Sequence, residues 1–584
     1  MKVSLRLLLE DFLGLMREEG ELDVYLPLLL SAMGHEIVYR AQKGTRQYGV
    51  DIATVGRDED KKKKLFLWSV KRGDIDRHDW SSGIQSVRQS IEDVSDVYLR
   101  SHVAPQHAEL PKKLVVLTNG DFKPTLVETI AGYLEKWSKQ HGVEASTVNG
   151  STLAAWTEQH LLDENVLPPE NKVLFRRMLA NVSSPELSIG VGRTLIDSLV
   201  VAAKLPAKSA PARRKRLLGS LRGIRTALSV LQAWASSEGN LLAPYRLAEF
   251  AVLRVWAGLH EELHQVDKDV VNEYSELLFQ MASIAEAYHE KLQPYYITQN
   301  AFASRLPDNL LVTDTAFQEA GRLGLQGCIW AFFAVETGDV IAQGHASVYV
   351  DRLLALLKSH RCTESPAYDH HAADVHVALL CLLNSNHREE AKAWLENLVG
   401  RLAHAAKSPK HWPLAGPFEE ILLVRHGLDE VSQELMKTST LVPMLLLWTA
   451  ALGMDDTYTF IRENIPPAVP NTTLNFWSAD VGFDGLVANA HALQMHGVGE
   501  ALLHLPSNAV DFLMTMSAPL PGIQSIEDAV WYQLRCAYVP LLAALHWNMQ
   551  VPREMMVKQA LAVAGNAVNL VSEGASTPQS AATA

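Results

Sequence analysis

The pattern of apolar and polar positions divides the chain into two regions of different character. Leu22 to Met33 is an apolar helical stretch that stops at Gly34, and His35 to Arg40 then reads as a strand entering the turn-rich segment QKGTRQYG. Val50 to Val55 is a second strand. The polar GRDEDKKKK that follows is a natural hairpin connection to a third, Leu65 to Lys71. Ile84 to Leu99 has a helical period, Lys113 to Thr118 is an apolar strand broken by Asn119-Gly120, Thr125 to His141 is an amphipathic helix, and a last short strand lies near Val143 to Val148. The order helix, three strands, helix, strand, helix, strand predicts an α/β domain with a mixed sheet flanked by helices.

Leu161 to Lys172, LLDENVLPPENK, is polar and contains Pro168-Pro169, which makes it the best boundary. From Val173 to about Val571 the pattern is one of helical stripes, such as Leu217, Leu221, Ile224, Leu228 and Leu231, separated by short turns. Helical pairs stacked into an irregular, solenoid-like all-α domain fit this pattern, although no fixed period names a repeat family. The small-residue run from Ser572 is expected to be disordered. The expected domains are therefore 1–165, a connector at 166–225, a helical scaffold or sensor at 226–571 and a tail at 572–584.

Charge sharpens this division. Residues 1–165 hold 21 Lys and Arg against 25 Asp and Glu, residues 166–225 hold 12 against 3, and the remainder holds 20 against 38. A polyanion should therefore meet the basic connector, since the C-terminal region repels it. Arg213, Arg214, Lys215 and Arg216 lie in the first turns of a helix that Pro211 helps to start, where cations oppose the helix dipole and a phosphate would relieve the cost. A solvated basic face that pairs with the acidic C-terminal region accounts for them equally well.

Several function classes are disfavoured. The longest apolar run, Leu441 to Met454, is too short to span a bilayer and contains Pro443, and the N-terminal apolar stretch is interrupted by Arg6, Glu10 and Asp11, unlike a signal peptide. Cys328, Cys362, Cys381 and Cys536 are scattered without paired metal-ligand spacing, so a cytoplasmic protein with no membrane partner is expected. No P-loop motif is present. His370, His371, Asp374 and His376 in YDHHAADVH include a pair four apart, but in a chain with 22 histidines, and without HExxH or cysteine partners, a metal site there is not expected.

The chemistry concentrates in the N-terminal region. Gly49-Val50-Asp51-Ile52 places a carboxylate at the start of one strand, and Trp68-Ser69-Val70-Lys71-Arg72-Gly73 places a lysine at the end of the next, with Ser69 and Lys71 on one face. If the two strands form a hairpin, Asp51 faces that pair. An acid that can hold a divalent metal beside a cation is the equipment needed to hydrolyse a phosphodiester. With the helix that carries Glu21 and Asp23, with TNGDF at 118–122 and with GVEASTVNGSTLAAW, this order resembles the PD-(D/E)xK restriction-endonuclease-like superfamily, more narrowly its Mrr-like nucleases.

The resemblance covers residues 20–165. It implies a restriction-endonuclease-like fold, Asp51 as metal-binding aspartate, Lys71 as catalytic lysine, and Asp23 or Glu21 as a further metal acid from the first helix. It also implies Mg2+ or Mn2+ as cofactor and DNA as substrate. Ser69 departs from the family pattern, which has an acid or glutamine two residues before the lysine. Gln85 and Gln89 could contact substrate or form an exposed helix face. The expected function is a Mg2+-dependent DNA endonuclease directed against foreign or phage DNA and controlled through its helical domain by a regulatory subunit or phage component, with homo-oligomerisation also compatible. The alternative is a catalytically degenerate DNA-binding adaptor in a multi-subunit defence complex.

Overall fold

The computed structural model describes residues 9–10, 13–14, 16, 22–40, 48–58, 60–82, 86–161, 169–265, 267–479, 482–520, 523 and 525–574. The chain divides into two compact units, residues 1–251 with 272–277 and residues 252–271 with 278–584.

The first unit contains a five-stranded sheet: β1 (Glu36–Arg40), β2 (Ile52–Arg57), β3 (Lys63–Lys71), β4 (Lys112–Thr118) and β5 (Glu144–Val148), paired in that order. β2 runs antiparallel to both β1 and β3, whereas β3, β4 and β5 are parallel, so the sheet is mixed. Its helices follow the expected order. Pro124–His141 starts at a proline, where the missing N–H has no role, and ends at Gly142 in the left-handed conformation. Leu126, Ile130, Leu134 and Trp137, spaced at one helical face, join Val87, Ile91 and Val94 over Val50, Ala53, Val55, Leu65, Leu67, Leu114 and Val116 of the strand segments. Each such buried side chain contributes about 1.5–3 kcal/mol. The opposite side of the sheet is covered too. The Trp68 indole donates to Thr54 at 2.9 Å and meets Trp156 edge-on at 6.4 Å. Strands buried on both sides explain why β3 reads as an apolar run without alternation.

The lysine run 61–64 departs from a solvated turn. β3 begins at Lys63, and the Lys64 side chain is 3% exposed, its ammonium 2.8 Å from Asp58, 2.8 Å from Glu144 and 3.1 Å from Asp60. Burial alone would lower its pKa; the bonds to Asp58, Glu144 and Asp60 outweigh burial and raise it well above the usual lysine range. Lys113 shares Asp58 at 2.9 Å.

The basic connector is helical and lies in the first unit, with helices Pro169–Ala180 and Pro185–Lys204 followed by Ala210–Ser237.

The second unit is mainly helical. Leu441–Ala451 is buried at every position, as its uniform hydrophobicity implies. Helices Asn309–Thr337 and His371–Asn384 pack closely, and Gly324 permits this: a Cβ there would lie 2.8 Å from the Ala378 Cα. The tail expected from Ser572 begins inside a helix drawn to Gly574; residues 575–584 lie outside the described residues.

A small sheet corrects the all-α expectation: β6 (Thr438–Ser439) pairs parallel with β7 (Thr473–Ala479), which pairs antiparallel with β8 (Gly497–Ala501). β7 does alternate, burying Leu474, Phe476 and Ser478, but the buried serine and the apolar Trp477 on the other face blur the period. Among the described residues no helix is long and apolar enough to cross a membrane.

Candidate functional site

Asp51 stands one residue before β2, at the edge of the sheet where β3 ends, and two bonds hold it against β3. Its backbone N–H donates to the Trp68 carbonyl at 2.9 Å, and its carboxylate accepts the Val70 N–H at 2.6 Å. The carboxylate thus takes the place of the next backbone acceptor, and Asp51 brackets Ser69. The residue before Val50 must be glycine: Gly49 has φ +77°, and a Cβ there would lie 2.0 Å from the Ser90 carbonyl oxygen. The turn that delivers Asp51 is therefore pressed directly onto helix Val87–Asp93.

Ser69 is 1% exposed, and its hydroxyl has no hydrogen-bond partner. An orphaned buried hydroxyl costs about 1–3 kcal/mol, so it marks a position where a substrate or solvent oxygen would be welcome. Lys71 is half-buried at the last position of β3, opposite Thr118 of β4, and its ammonium makes no hydrogen bond or ion pair among the described residues. Its exit from the sheet is fixed by the TNGDF segment. Thr118 donates to the Gly73 carbonyl, Asn119 accepts the Gly73 N–H at 2.7 Å, and the Asn119 amide donates to the Leu13 carbonyl at 2.6 Å and the Met16 carbonyl at 3.1 Å. Asp74 pairs with Lys123 at 2.8 Å. These ties hold the segment after Lys71 without using Lys71 itself.

The strand pattern gave no signal for the aromatic wall beside Asp51. Burial, and after it the Asp51 charge, raises the Tyr39 phenol above its ordinary pKa. Tyr98 lies 6.0 Å from Tyr39 and is pushed up to about 12, mainly by burial. His102 stacks on Tyr98 at 5.8 Å and meets Tyr48 at 4.8 Å.

Asp23 is exposed at the start of helix Asp23–Ala32, and Glu21 lies outside the described residues. Gln85 also lies outside them, while Gln89 donates to Asp93 at 3.0 Å along its own helix, as an exposed helix face does. Among the described residues no group of three or more His, Cys, Asp or Glu side chains is placed to hold a metal, in the YDHHAADVH segment or elsewhere. Mg2+, however, usually keeps several waters and is held by one or two carboxylates plus substrate phosphate oxygens. One carboxylate beside an orphaned hydroxyl fits an ion bound mainly through water and phosphate, and does not fit a closed protein cage.

In the basic stretch, Arg213, Arg214 and Lys215 are exposed at the start of helix Ala210–Ser237. Arg216 has a structural task, donating to the carbonyls of Leu205 at 2.9 Å and Pro206 at 3.1 Å, just beyond the preceding helix. Farther along, Arg222 and Arg225 pair with Glu273 at 2.5 and 2.9 Å, and Arg225 also with Glu276 at 2.9 Å. Part of the connector's positive charge is thus neutralised within the fold.

Comparison with known proteins gives no match to a family model, to a characterised protein or to a solved structure.

Proposed function

We propose that the sheet domain is a metal-dependent DNA endonuclease of the restriction-endonuclease-like, Mrr-like type. The observation that carries this reading is the Lys71 ammonium, without a partner among the described residues, at the same sheet edge as the Asp51 carboxylate clasped to Val70, with the unsatisfied Ser69 hydroxyl two residues before it on β3. Asp51 is the residue that would hold Mg2+ or Mn2+, with Asp23 or Glu21 as further acids; the bound ion would activate water and offset phosphate charge. Lys71 orients the attacking water and stabilises charge that develops on the scissile phosphate. The helical region, an irregular solenoid in this reading, acts as a control surface for a partner subunit or phage component in a cytoplasmic defence system.

Purified full-length protein is expected to nick or linearise plasmid DNA with Mg2+ or Mn2+ and to stop when EDTA is added. A single-stranded RNA assayed in parallel decides the substrate class, and RNA cleavage without DNA cleavage would overturn the DNA assignment.

The lack of charge at Ser69 favours a second reading, a DNA-binding adaptor without activity. Ser69→Glu separates the two. In an active site short of one ligand it retains cleavage and tightens metal binding; if neither Ser69→Glu nor the natural chain cuts with any metal, the adaptor reading replaces the enzyme.

The exposed cations of the connector have a separate expected outcome. Replacing Arg213, Arg214 and Lys215 with alanine, while leaving the structural Arg216, should weaken DNA binding uniformly across sequences. It should also reduce the magnitude of the log–log salt slope by about 2–3, since each phosphate contact contributes about 0.9. An unchanged slope assigns these residues to solvent.

A further inference from the structure

The second unit contains a cavity of about 220 Å3 whose lining includes His260, Phe483, Asp484, Asp528, Trp531 and Glu554. Among the described residues no lysine or arginine lines it. Asp484 belongs to the wall: it accepts the Trp256 indole N–H at 2.8 Å and the backbone N–H groups of Val530 and Trp531 at 2.8 and 3.0 Å. Those bonds hold the segment that carries Trp531 in place.

The other two carboxylates are differently situated. Asp528 is exposed and Glu554 half-buried, and neither forms an ion pair among the described residues. Glu554 accepts a hydrogen bond from the Ser478 hydroxyl at 2.9 Å and stands in the first turn of helix Arg553–Gly574, so its charge is met by a neutral donor and the helix dipole and not by a cation. Its neighbour Arg553 is engaged with Glu500 at 2.5 Å. Trp531 is only 5% exposed. A partly desolvated carboxylate without an ion pair among the described residues and two aromatic rings lining one volume define a ligand chemistry. Carboxylates favour a cation, aromatic faces favour a cation or an apolar ring, and the absence of lysine and arginine disfavours phosphates and carboxylates.

We propose that this cavity binds a small organic cation with an apolar body, an arylalkylamine in its simplest form. Its ammonium meets Glu554 and Asp528, and its apolar part lies against Trp531 and Phe483. The site is independent of the nuclease reading and gives the helical unit a small-molecule input of its own.

The test uses the full chain and 2-phenylethylamine, with 2-phenylethanol and phenylacetate as the neutral and anionic counterparts of the same body. Intrinsic fluorescence should change saturably, with a dissociation constant of about 1 mM or tighter for a ligand of this size. The alcohol and the acid should bind at least about tenfold more weakly. Glu554→Gln, which keeps an acceptor for Ser478, and Asp528→Asn should each weaken the amine by about tenfold while leaving the alcohol unchanged. Trp531→Phe should remove the fluorescence change while calorimetry still detects the amine. Absence of saturable amine binding, equal binding of amine and alcohol, or binding indifferent to both carboxylate variants overturns the proposal. None of these outcomes bears on DNA cleavage, which is measured separately with plasmid.

Discussion

Lys71→Ala and Asp51→Asn should each slow metal-dependent DNA cleavage by about a thousandfold or more, on the scale of losing a group that stabilises transition-state charge, while the protein remains folded. The structure makes both variants cleaner than they look from sequence. Among the described residues Lys71 bonds to nothing, so its truncation should cost little stability beyond the stem it packs, within about 0.5–1 kcal/mol. Asp51 is not so simple, because its carboxylate accepts the Val70 N–H at 2.6 Å, and Asp51→Ala would strand that donor at a cost of about 1–3 kcal/mol. Asparagine keeps a carbonyl oxygen for Val70 and removes only the charge. The two variants should also diverge in DNA binding measured without metal, where Asp51→Asn removes a repulsion and binds more tightly, and Lys71→Ala removes an attraction and binds more weakly. Initial cleavage rates, thermal unfolding and metal-free binding together check this. A folded variant that cuts at the natural rate would remove that residue from the site.

The sheet was legible because its signals are local. Each strand is an apolar run closed by a turn, so β2, β3 and β4 fall where the pattern puts them, and the hairpin that brings Asp51 to the end of β3 follows from the polar connection between them. What stayed hidden depends on partners distant in sequence. Lys64 reads as part of a solvated charge run, yet it is covered and paired with Glu144, 80 positions away. Arg216 looks identical to its three basic neighbours, and only the position of the preceding helix end gives it a structural task. Ser69 was visible as a departure from a motif, but its burial without a partner comes from packing on both sides of β3. The histidine-rich YDHHAADVH segment has spacing that invites a metal, and its chemistry is set by tryptophan, glutamine and aspartate side chains elsewhere in the chain.

Those partners make His376 a source of acid sensitivity in the second unit. The Trp448 indole, which can only donate, gives its N–H to His376 Nδ1 at 3.0 Å. Nδ1 must therefore present a lone pair, and the ring proton sits on Nε2, facing Gln559 Oε1 at 2.9 Å. A second proton would have to go onto Nδ1, which already faces the Trp448 N–H donor. Burial, opposed only in part by the bond to Gln559, accordingly lowers the His376 pKa to about 4. In the unfolded chain the same imidazole takes up a proton near 6.5. Its contribution is present above pH 6.5, and between 6.5 and 4 the unfolded state gains a proton that the fold refuses, so stability falls by about 1.4 kcal/mol per pH unit. His289, lowered to about 4 chiefly by burial, acts in the same direction. Asp374 opposes both, since burial and then the nearby Asp314 raise its carboxyl, and a group protonated in the fold gains stability on acidification. The total pH profile is thus a balance, and the difference between natural chain and variant isolates one member. His376→Asn can still accept from Trp448 and donate to Gln559 but cannot titrate. Between pH 6.5 and 5 it should lose about 2 kcal/mol less stability than the natural chain, read as hydrogen-exchange protection of the His371–Asn384 helix after correction for intrinsic exchange. Parallel acid limbs for the two proteins would mean that the imidazole already carries its second proton in the fold, and the tautomer deduced from Trp448 would be wrong.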